Sequence, residues 1–153
     1  MLDFLRQFTD KQTVWERQLV RRGSDYFLPG GLKTFIEKRP EFVGTLVGSF
    51  KQGSFIPSVW LLQELAAYSD KYVVCNKKGE WLFICGRDLF EEGLVHVNVK
   101  EGIVLVLNQY KECLGYGVLR IGGRGERSVT NLWDLGAMMR RPKFKIENKK
   151  EKN

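Results

Sequence analysis

The segment from Lys71 to Gly123 holds the clearest structural pattern of the chain and reads KYVVCNKKGEWLFICGRDLFEEGLVHVNVKEGIVLVLNQYKECLGYGVLRIGG. Short apolar runs alternate with polar connections, which predicts four short strands with one short helix between the first two. Glycines lie in and between these runs, among them those at positions 79, 86, 93, 102, 115 and 117. Because strands this short leave unpaired edges, we expect them to close into a small antiparallel barrel, in which glycine suits the sharp bends.

The first seventy residues show a different pattern, which predicts a separate small unit of helices and strands. Thr9 and Gln12 form a capping box, which predicts a helix ending near Arg22, where Gly23 can take the left-handed conformation. The other predicted elements are a helix at Leu2 to Phe8, strands at Tyr26 to Leu28, at Leu32 to Ile36 and in FVGTLVGSF (42–50), and a helix at Pro57 to Ala67.

A polar junction, AYSDK (67–71), separates the two patterns. We therefore predict an α/β unit at residues 1–70, a barrel domain at residues 71–141 and a basic tail at residues 142–153. The net charge is +7, and residues 140–153 alone carry seven basic and two acidic side chains. Such a tail is expected to be disordered when unbound and to attract phosphate backbones without sequence preference, although a purely solubilising terminus is the alternative.

Composition and spacing do not indicate an enzyme, a metal site or a membrane span. Cys75, Cys85 and Cys113 lack CxxC spacing, so we expect reduced cysteines buried in the packing of a cytosolic protein. His96 lies in an alternating strand pattern, which favours a half-buried strand residue over a ligand or base. The carboxylates form no pair suited to acid–base catalysis. We expect no secretory signal, and no apolar run approaches the roughly 20 residues that cross a bilayer.

Several motifs within the barrel pattern resemble a PUA domain, the RNA-binding module first described in pseudouridine synthases and archaeosine transglycosylases. They are GEWLFICGRDLFEEGLVHV (79–97), EGIVLVLN (101–108) and LGYGVL (114–119). FVGTLVG (42–48) and SFIPSVWLLQELAAYSDKYVV (54–74) precede them, and SVTNLWDLGAMMRR (128–141) follows. With these flanking segments, residues 24–141 resemble the Nip-seven family of ribosome-assembly factors, in its archaeal form.

The resemblance implies an α+β fold, in which a small N-terminal α/β unit, the pre-PUA unit, is followed by a PUA-type β-barrel. It also implies a function. Members of the family are RNA-binding adaptors, not enzymes, and they help to assemble the large ribosomal subunit and to process rRNA. The same role is therefore expected of this chain.

The resemblance further implies where RNA binds. Archaeal members contact RNA through basic residues between the last barrel strand and the final helix, and the corresponding segment here is GGRGERSVTNLWDLG (122–136). Arg127 matches a basic position of the family, whereas Glu126, Thr130 and Trp133 stand where further basic residues are expected. The implied RNA-binding residues are Arg124, Arg127, Arg140, Arg141, Lys143, Lys145 and, beside the glycine turn at Gly86, Arg87.

A short helix from about Asn131 to Arg141 is expected to anchor the basic tail to the barrel beside the Gly122-Gly123 loop. Its inward-facing residues would be Leu132, Leu135 and Met139. For Arg87 the alternative to an RNA contact is an ordinary surface pair with Asp88 or Glu91. The four tryptophans, at positions 15, 60, 81 and 133, are expected in the core, although Trp133 or Phe144 could instead stack on an unpaired base.

These observations predict an RNA-binding protein whose partners are single-stranded, U-rich rRNA and ribosome-assembly or RNA-processing proteins. We expect a monomer without cofactors or membrane contact, in the cytoplasm, or in the nucleolus of a eukaryote. Two alternatives remain open. The first is a protein-interaction adaptor with little RNA affinity, favoured by the eight basic and eight acidic side chains of residues 72–139. The second is a subunit that delivers RNA to a modifying enzyme.

Overall fold

The computed structural model describes residues 1–10, 14–30 and 44–140. Before residue 70 the elements are helix α1 (Leu2–Arg6), a 3₁₀ helix (Val14–Gln18), strands β1 (Val20–Arg22), β2 (Asp25–Leu28), β3 (Thr45–Lys51) and β4 (Ser54–Pro57), and helix α2 (Val59–Tyr68). The four strands pair antiparallel in chain order. The strand predicted at Leu32 to Ile36 lies outside the described residues.

After residue 70 the chain forms the barrel. Its elements are β5 (Tyr72–Cys75), helix α3 (Lys77–Ile84), β6 (Leu89–Phe90), a 3₁₀ helix (Glu91–Gly93), β7 (Leu94–Val97), β8 (Gly102–Leu107), β9 (Cys113–Ile121), β10 (Arg127–Asp134) and a 3₁₀ helix (Leu135–Met138). The strand order is β6-β10-β9-β8-β5-β7. The edge strands β6 and β7 are joined only by Glu91–Gly93, so the sheet curls back on itself and is nearly closed. The predicted α+β fold with a barrel is confirmed.

One pair of strands differs from the predicted, wholly antiparallel barrel. Strand β5 runs parallel to β8, with Val73 opposite Val106. Parallel neighbours require a long crossover connection, and α3 with β6 and β7 provides it. The position of α3 between β5 and β6 agrees with the sequence prediction.

Strand β8 is an unbroken apolar run because it is buried on both faces. Val104 and Val106 point into the barrel interior, whereas Leu105 and Leu107 point outward into a second core. The barrel interior is completed by Val73, Cys75, Phe83, Leu89, Leu114, Leu119 and Val129. A strand covered on both sides loses the apolar–polar alternation of a strand with one wet face.

The second core is shared between the two predicted units. It joins Phe4, Leu5, Phe8, Val47, Leu61, Leu62 and Leu65 from the N-terminal unit to Val74, Leu105, Leu107 and Cys113 from the barrel. The rings of Phe4 and Phe8 lie 5.3 and 5.7 Å from the ring of Tyr116 on β9. Residue 70 therefore marks a change from one sheet to the other, while apolar packing continues across it. The division into domains at this position stays a prediction.

The helix predicted from Thr9 to Arg22 is wrong over residues 14–22. Val14–Gln18 form a 3₁₀ helix, and Val20–Arg22 form a strand in which Val20 pairs with Phe27. Gly23 does adopt a left-handed φ of +57°, but it closes the hairpin between β1 and β2. Pairing with β2, whose Phe27 is buried, outweighs the helical preference of this segment, since local propensity is a weak determinant.

The helix predicted from Asn131 to Arg141 is also wrong. Residues up to Asp134 extend β10 along β9, and only Leu135–Met138 form a 3₁₀ turn. Leu132 and Met139, predicted to face inward, are 51% and 82% exposed. Gly117 on β9 allows β10 to lie close, because a Cβ there would stand 2.7 Å from Cγ1 of Val129. Pairing between the strands therefore overrides the helical spacing of the apolar residues.

Three side chains predicted to be buried or half-buried are exposed. Helix α3 buries Gly79 and Phe83, and residues two positions away from Phe83 lie on the opposite side of a helix, which places Trp81 and Cys85 at the surface. His96 is exposed on the edge strand β7, and its ring lies 5.9 Å from that of Tyr72. Cys75 and Cys113 are buried, as predicted.

Candidate nucleic-acid interface

Arg127 forms a bidentate ion pair with Glu91. It is the predicted RNA-binding residue that matches a basic position of the family. Its Nε lies 3.0 Å from both carboxylate oxygens, and its Nη2 donates to Oε1. The backbone N–H of Arg127 also donates to Glu91 Oε2, at 2.7 Å. The hydrogen bond from the Arg127 side chain is the main reason that the pKa of Glu91 falls to about 2. Glu91 therefore already compensates the positive charge of Arg127 that would otherwise attract a phosphate.

The Glu91–Arg127 pair predicts a pH dependence of stability. A carboxylate whose pKa is lowered on folding stabilises the folded state above its ordinary pKa, here 4.5, and this contribution is lost as the pH falls towards about 2. We therefore expect the stability difference between the intact chain and a Glu91→Gln variant to shrink between pH 6 and pH 3, the two values at which urea unfolding should be measured. A constant difference would contradict the pairing.

The surroundings of Arg127 are acidic. A surface pocket of about 620 Å³ next to it is lined by Glu91, Glu92 and Glu126, together with Phe90, Gly122 and Ser128. Arg124 stands exposed in the turn between β9 and β10, and Oε2 of Glu126 accepts its backbone N–H at 3.1 Å. Three carboxylates surround a single arginine that is already paired. The net charge at this place is therefore negative and repels phosphate. This end of the barrel is therefore a weaker anion site than the sequence suggests.

Arg140 ties the end of β10 to the end of α3. Its Nη1 and Nη2 lie 2.8 and 2.6 Å from the two oxygens of Asp134, a carboxylate that is only 2% exposed. The same Nη1 donates to the backbone carbonyl of Ile84, the last residue of α3. The hydrogen bond to Asp134 raises the pKa of Arg140, so the guanidinium stays charged. Its donors serve the fold, because a buried carboxylate needs such a partner.

The predicted basic residues that the structure describes do not form one continuous surface. Arg127 is the first residue of β10. Arg140 binds Asp134, which is the last residue of β10 and lies seven positions after Arg127. At about 3.3 Å per residue, the two ends of the strand lie roughly 23 Å apart. Arg87 lies at the same end of the strand as Arg140. Its neighbour Gly86 is so close that a Cβ built on it would stand 3.1 Å from the guanidinium carbon of Arg140. Arg141, Lys143 and Lys145 lie outside the described residues.

Arg87 does not make the surface pair that the sequence offers as its alternative role. Asp88 instead accepts the backbone N–H of Asn131, at 2.8 Å, and Glu91 is held by Arg127. Within residues 1–10, 14–30 and 44–140, the guanidinium groups of Arg87 and Arg124 make no ion pair. These two arginines are therefore the described members of the predicted set that remain able to contact phosphate.

Sequence reasoning missed the two most exposed aromatic side chains of the described residues. Trp81 on α3 is 68% exposed, and Tyr110 in the β8–β9 loop is 84% exposed. Both line a cleft of about 480 Å³, together with Lys77, Glu80, Ile84 and Gln109. The signals were present: Trp81 stands two positions from the buried Phe83, and Tyr110 interrupts the polar loop NQYKE (108–112). Aromatic side chains that remain in water next to basic residues are typical of surfaces that bind single-stranded RNA.

The remaining reactive residues do not converge on one place. In the described part of the chain, no three His, Cys, Asp or Glu side chains are grouped so that they could hold a metal ion. Burial raises the pKa of the Cys75 thiol to about 11 and that of Cys113 to about 12, so both stay protonated. None of the helices described here is long and apolar enough to cross a membrane.

Comparison with known proteins shows what the barrel is similar to. The family model described as the UPF0113 PUA domain matches residues 71–143. Among solved structures, the chain is similar to a conserved PUA-domain protein from Thermoplasma acidophilum, with a TM-score of 0.52 and 17% identity over 80% of this chain and 87% of that one. It also matches a hypothetical protein from Pyrococcus horikoshii, with a TM-score of 0.40 and 18% identity over 69% and 62% of the two chains.

No curated protein matches the chain. At 17% identity the Thermoplasma structure bears on the fold alone, and its fold agrees with the nearly closed barrel described above. The family match is independent of that likeness and begins at the residue where the sequence pattern changes. Residues 71–143 of this chain therefore form a barrel that matches the UPF0113 PUA domain.

Proposed function

We propose that this protein binds single-stranded RNA and acts as an adaptor, without catalytic activity, in large ribosomal subunit assembly and rRNA processing. The observation that carries the proposal is the PUA domain at residues 71–143, a module with the potential to bind RNA. The assignment to ribosome assembly rests on the resemblance to the Nip-seven family. On this proposal the protein works in the cytoplasm, or in the nucleolus of a eukaryote, as a monomer that joins RNA to assembly proteins.

The described arginines differ in whether their guanidinium groups can contact RNA phosphates. Arg87 and Arg124 have guanidinium groups that can contact phosphate, whereas those of Arg127 and Arg140 are occupied by carboxylates. Arg141, Lys143 and Lys145 add three positive charges in the sequence that follows Arg140. Because phosphate contacts position a strand without reading its bases, we propose that these residues supply general affinity.

The proposal predicts how affinity depends on salt. Each phosphate contact to a single strand contributes about −0.7 to the slope of log affinity against log salt concentration, so about four contacts give a slope near −3. We expect Arg87→Ala and Arg124→Ala each to make the slope shallower by about 0.7. Arg127→Ala should change it little, since Glu91 already compensates that charge.

Fluorescence anisotropy with a labelled U-rich oligonucleotide measures these slopes. Lys51→Ala is the matched control, because Lys51 is an exposed cation at the end of β3 in the N-terminal sheet. Deleting residues 142–153 should weaken binding to all sequences about equally. If the intact chain does not bind RNA even at low salt, the adaptor with little RNA affinity becomes the better proposal. The glutamates around Arg127 are the observation that favours that second candidate.

The cellular role has a separate test. Crosslinking in cells followed by sequencing of the bound RNA should recover large-subunit rRNA if the protein assembles ribosomes. A profile dominated by tRNA would instead favour a subunit that delivers RNA to a modifying enzyme. This measurement concerns the identity of the RNA, whereas the anisotropy experiment concerns the existence of binding.

A further inference from the structure

The cleft between α3 and the β8–β9 loop combines features that ordinary surface packing does not explain. Its volume is about 480 Å³, within the range of small-molecule pockets, and Trp81 and Tyr110 both line it. Among the described residues, neither of these rings contacts another aromatic ring or a cation. Two large aromatic side chains thus face water across an open space, and exposed apolar surface of this kind marks interaction sites.

The wall that carries Tyr110 is held in place by a buried amide. Asn108 is 2% exposed, and its Oδ1 accepts the backbone N–H groups of Tyr110 and Glu112, at 2.9 and 3.0 Å. Its Nδ2 donates to Glu112 at 2.7 Å and to Glu80 on α3 at 3.4 Å. The loop and the helix are therefore connected through one side chain. A cleft with positioned walls binds without first having to order them.

The chemistry of the lining favours a planar, uncharged group. Lys77 and Glu80 balance each other in charge, so the cleft itself does not favour an anion. Gln109 presents an amide, which can both donate and accept hydrogen bonds at the edge of a base. Aromatic side chains stack on the faces of unpaired bases regardless of sequence. Lys77, exposed on α3, is placed to contact the phosphate of an adjoining nucleotide.

We infer that the cleft holds a single unpaired nucleobase of an RNA strand, against Trp81 and Tyr110, with Gln109 at its edge and Lys77 at its phosphate. The inference deepens the proposed function and rests on it for the source of the base. A free nucleotide offers the same chemistry, so the experiment separates the two sources.

The test measures binding of a labelled oligouridine to the full chain and to four variants. Stacking of one base on an aromatic side chain contributes about 1–3 kcal/mol, so Trp81→Ala and Tyr110→Ala should each weaken binding roughly 5- to 150-fold. Their salt slope should stay unchanged, because no charge is removed. Lys77→Ala should instead make the slope shallower by about 0.7. Phe90→Ala is the control, since Phe90 is an aromatic side chain, 58% exposed, outside the cleft.

The outcomes separate the inference from the proposed function. If the intact chain binds oligouridine and both aromatic variants bind equally well, the cleft inference is overturned and RNA binding stands. If oligouridine does not bind but uridine monophosphate does, with loss in the same two variants, the base site stands and the RNA function falls. Binding of neither overturns both, whereas occupation of the cleft by a peptide that RNA does not displace overturns the cleft inference alone. Both aromatic side chains are exposed, so circular dichroism should show that the variants fold.

Discussion

Gly115→Ala should lower the free energy of unfolding by about 3–5 kcal/mol, from backbone strain and overpacking together. Gly115 pairs with Asp134 where β10 crosses β9, and its φ of +151° is one that other residues rarely adopt. A Cβ at this position would overlap the carbonyl oxygen of Trp133 and stand 2.8 Å from Cα of Asp134. The obstacle is backbone, so it cannot move aside without separating the two strands.

Gly123→Ala is the matched control for this prediction. Gly123 lies in the turn between the same two strands, and a Cβ there would meet nothing within 4 Å. We expect its urea midpoint to stay close to that of the intact chain, while the Gly115 variant unfolds at much lower urea concentration. Equal midpoints for the two variants would show that β10 can shift away from β9 without cost.

Arg140→Ala is expected to lower the free energy of unfolding by about 2–3 kcal/mol, because it leaves the Asp134 carboxylate buried without its charged partner. This loss is smaller than that expected for a fully buried pair, because the Arg140 side chain is 41% exposed. The variant also removes the hydrogen bond to Ile84, which connects α3 to β10. Urea unfolding at neutral pH measures the loss.

Arg127→Ala provides the comparison, because the same kind of two-pronged pair stands at the surface there. The Glu91 side chain is 43% exposed and returns to water when its partner is removed, so the loss of stability should be much smaller. The double variant Asp134→Asn with Arg140→Ala should recover part of the stability lost in the single variant, since the unpaired charge is gone. Equal losses for Arg127→Ala and Arg140→Ala would contradict the distinction by burial.

Arg140 and Arg87 show why stability and RNA affinity must be measured together. A weaker RNA affinity of Arg140→Ala could arise from partial unfolding, because Arg140 holds the end of β10 in place. Arg87→Ala has no such consequence, since the Arg87 guanidinium makes no ion pair with the part of the chain described here. A loss of affinity at Arg87 with an unchanged urea midpoint would therefore report on RNA contact alone.

The pattern of apolar residues was sufficient to predict a barrel, four of its six strands and α3. Strand β8, the continuous run GIVLVL (102–107), and the alternating β7 were both readable from sequence, because side-chain periodicity follows directly from strand geometry. Helix α2 was likewise predicted to within two residues at its start and one at its end. Its N-terminus is set by a local interaction, the Ser58 hydroxyl accepting the N–H of Leu61 at 3.2 Å.

Long-range contacts account for what sequence reasoning missed. Residues 20–22 and 131–134 were predicted as parts of helices, yet pairing with β2 and with β9 makes them strands. Arg127 and Glu91 are 36 residues apart, so no local pattern shows that the charge of this arginine is compensated. The roles of the basic residues depend on which carboxylate the fold brings to each. Local spacing specifies elements, whereas partners distant in sequence become neighbours only when the chain packs, and they decide which side chains remain available to RNA.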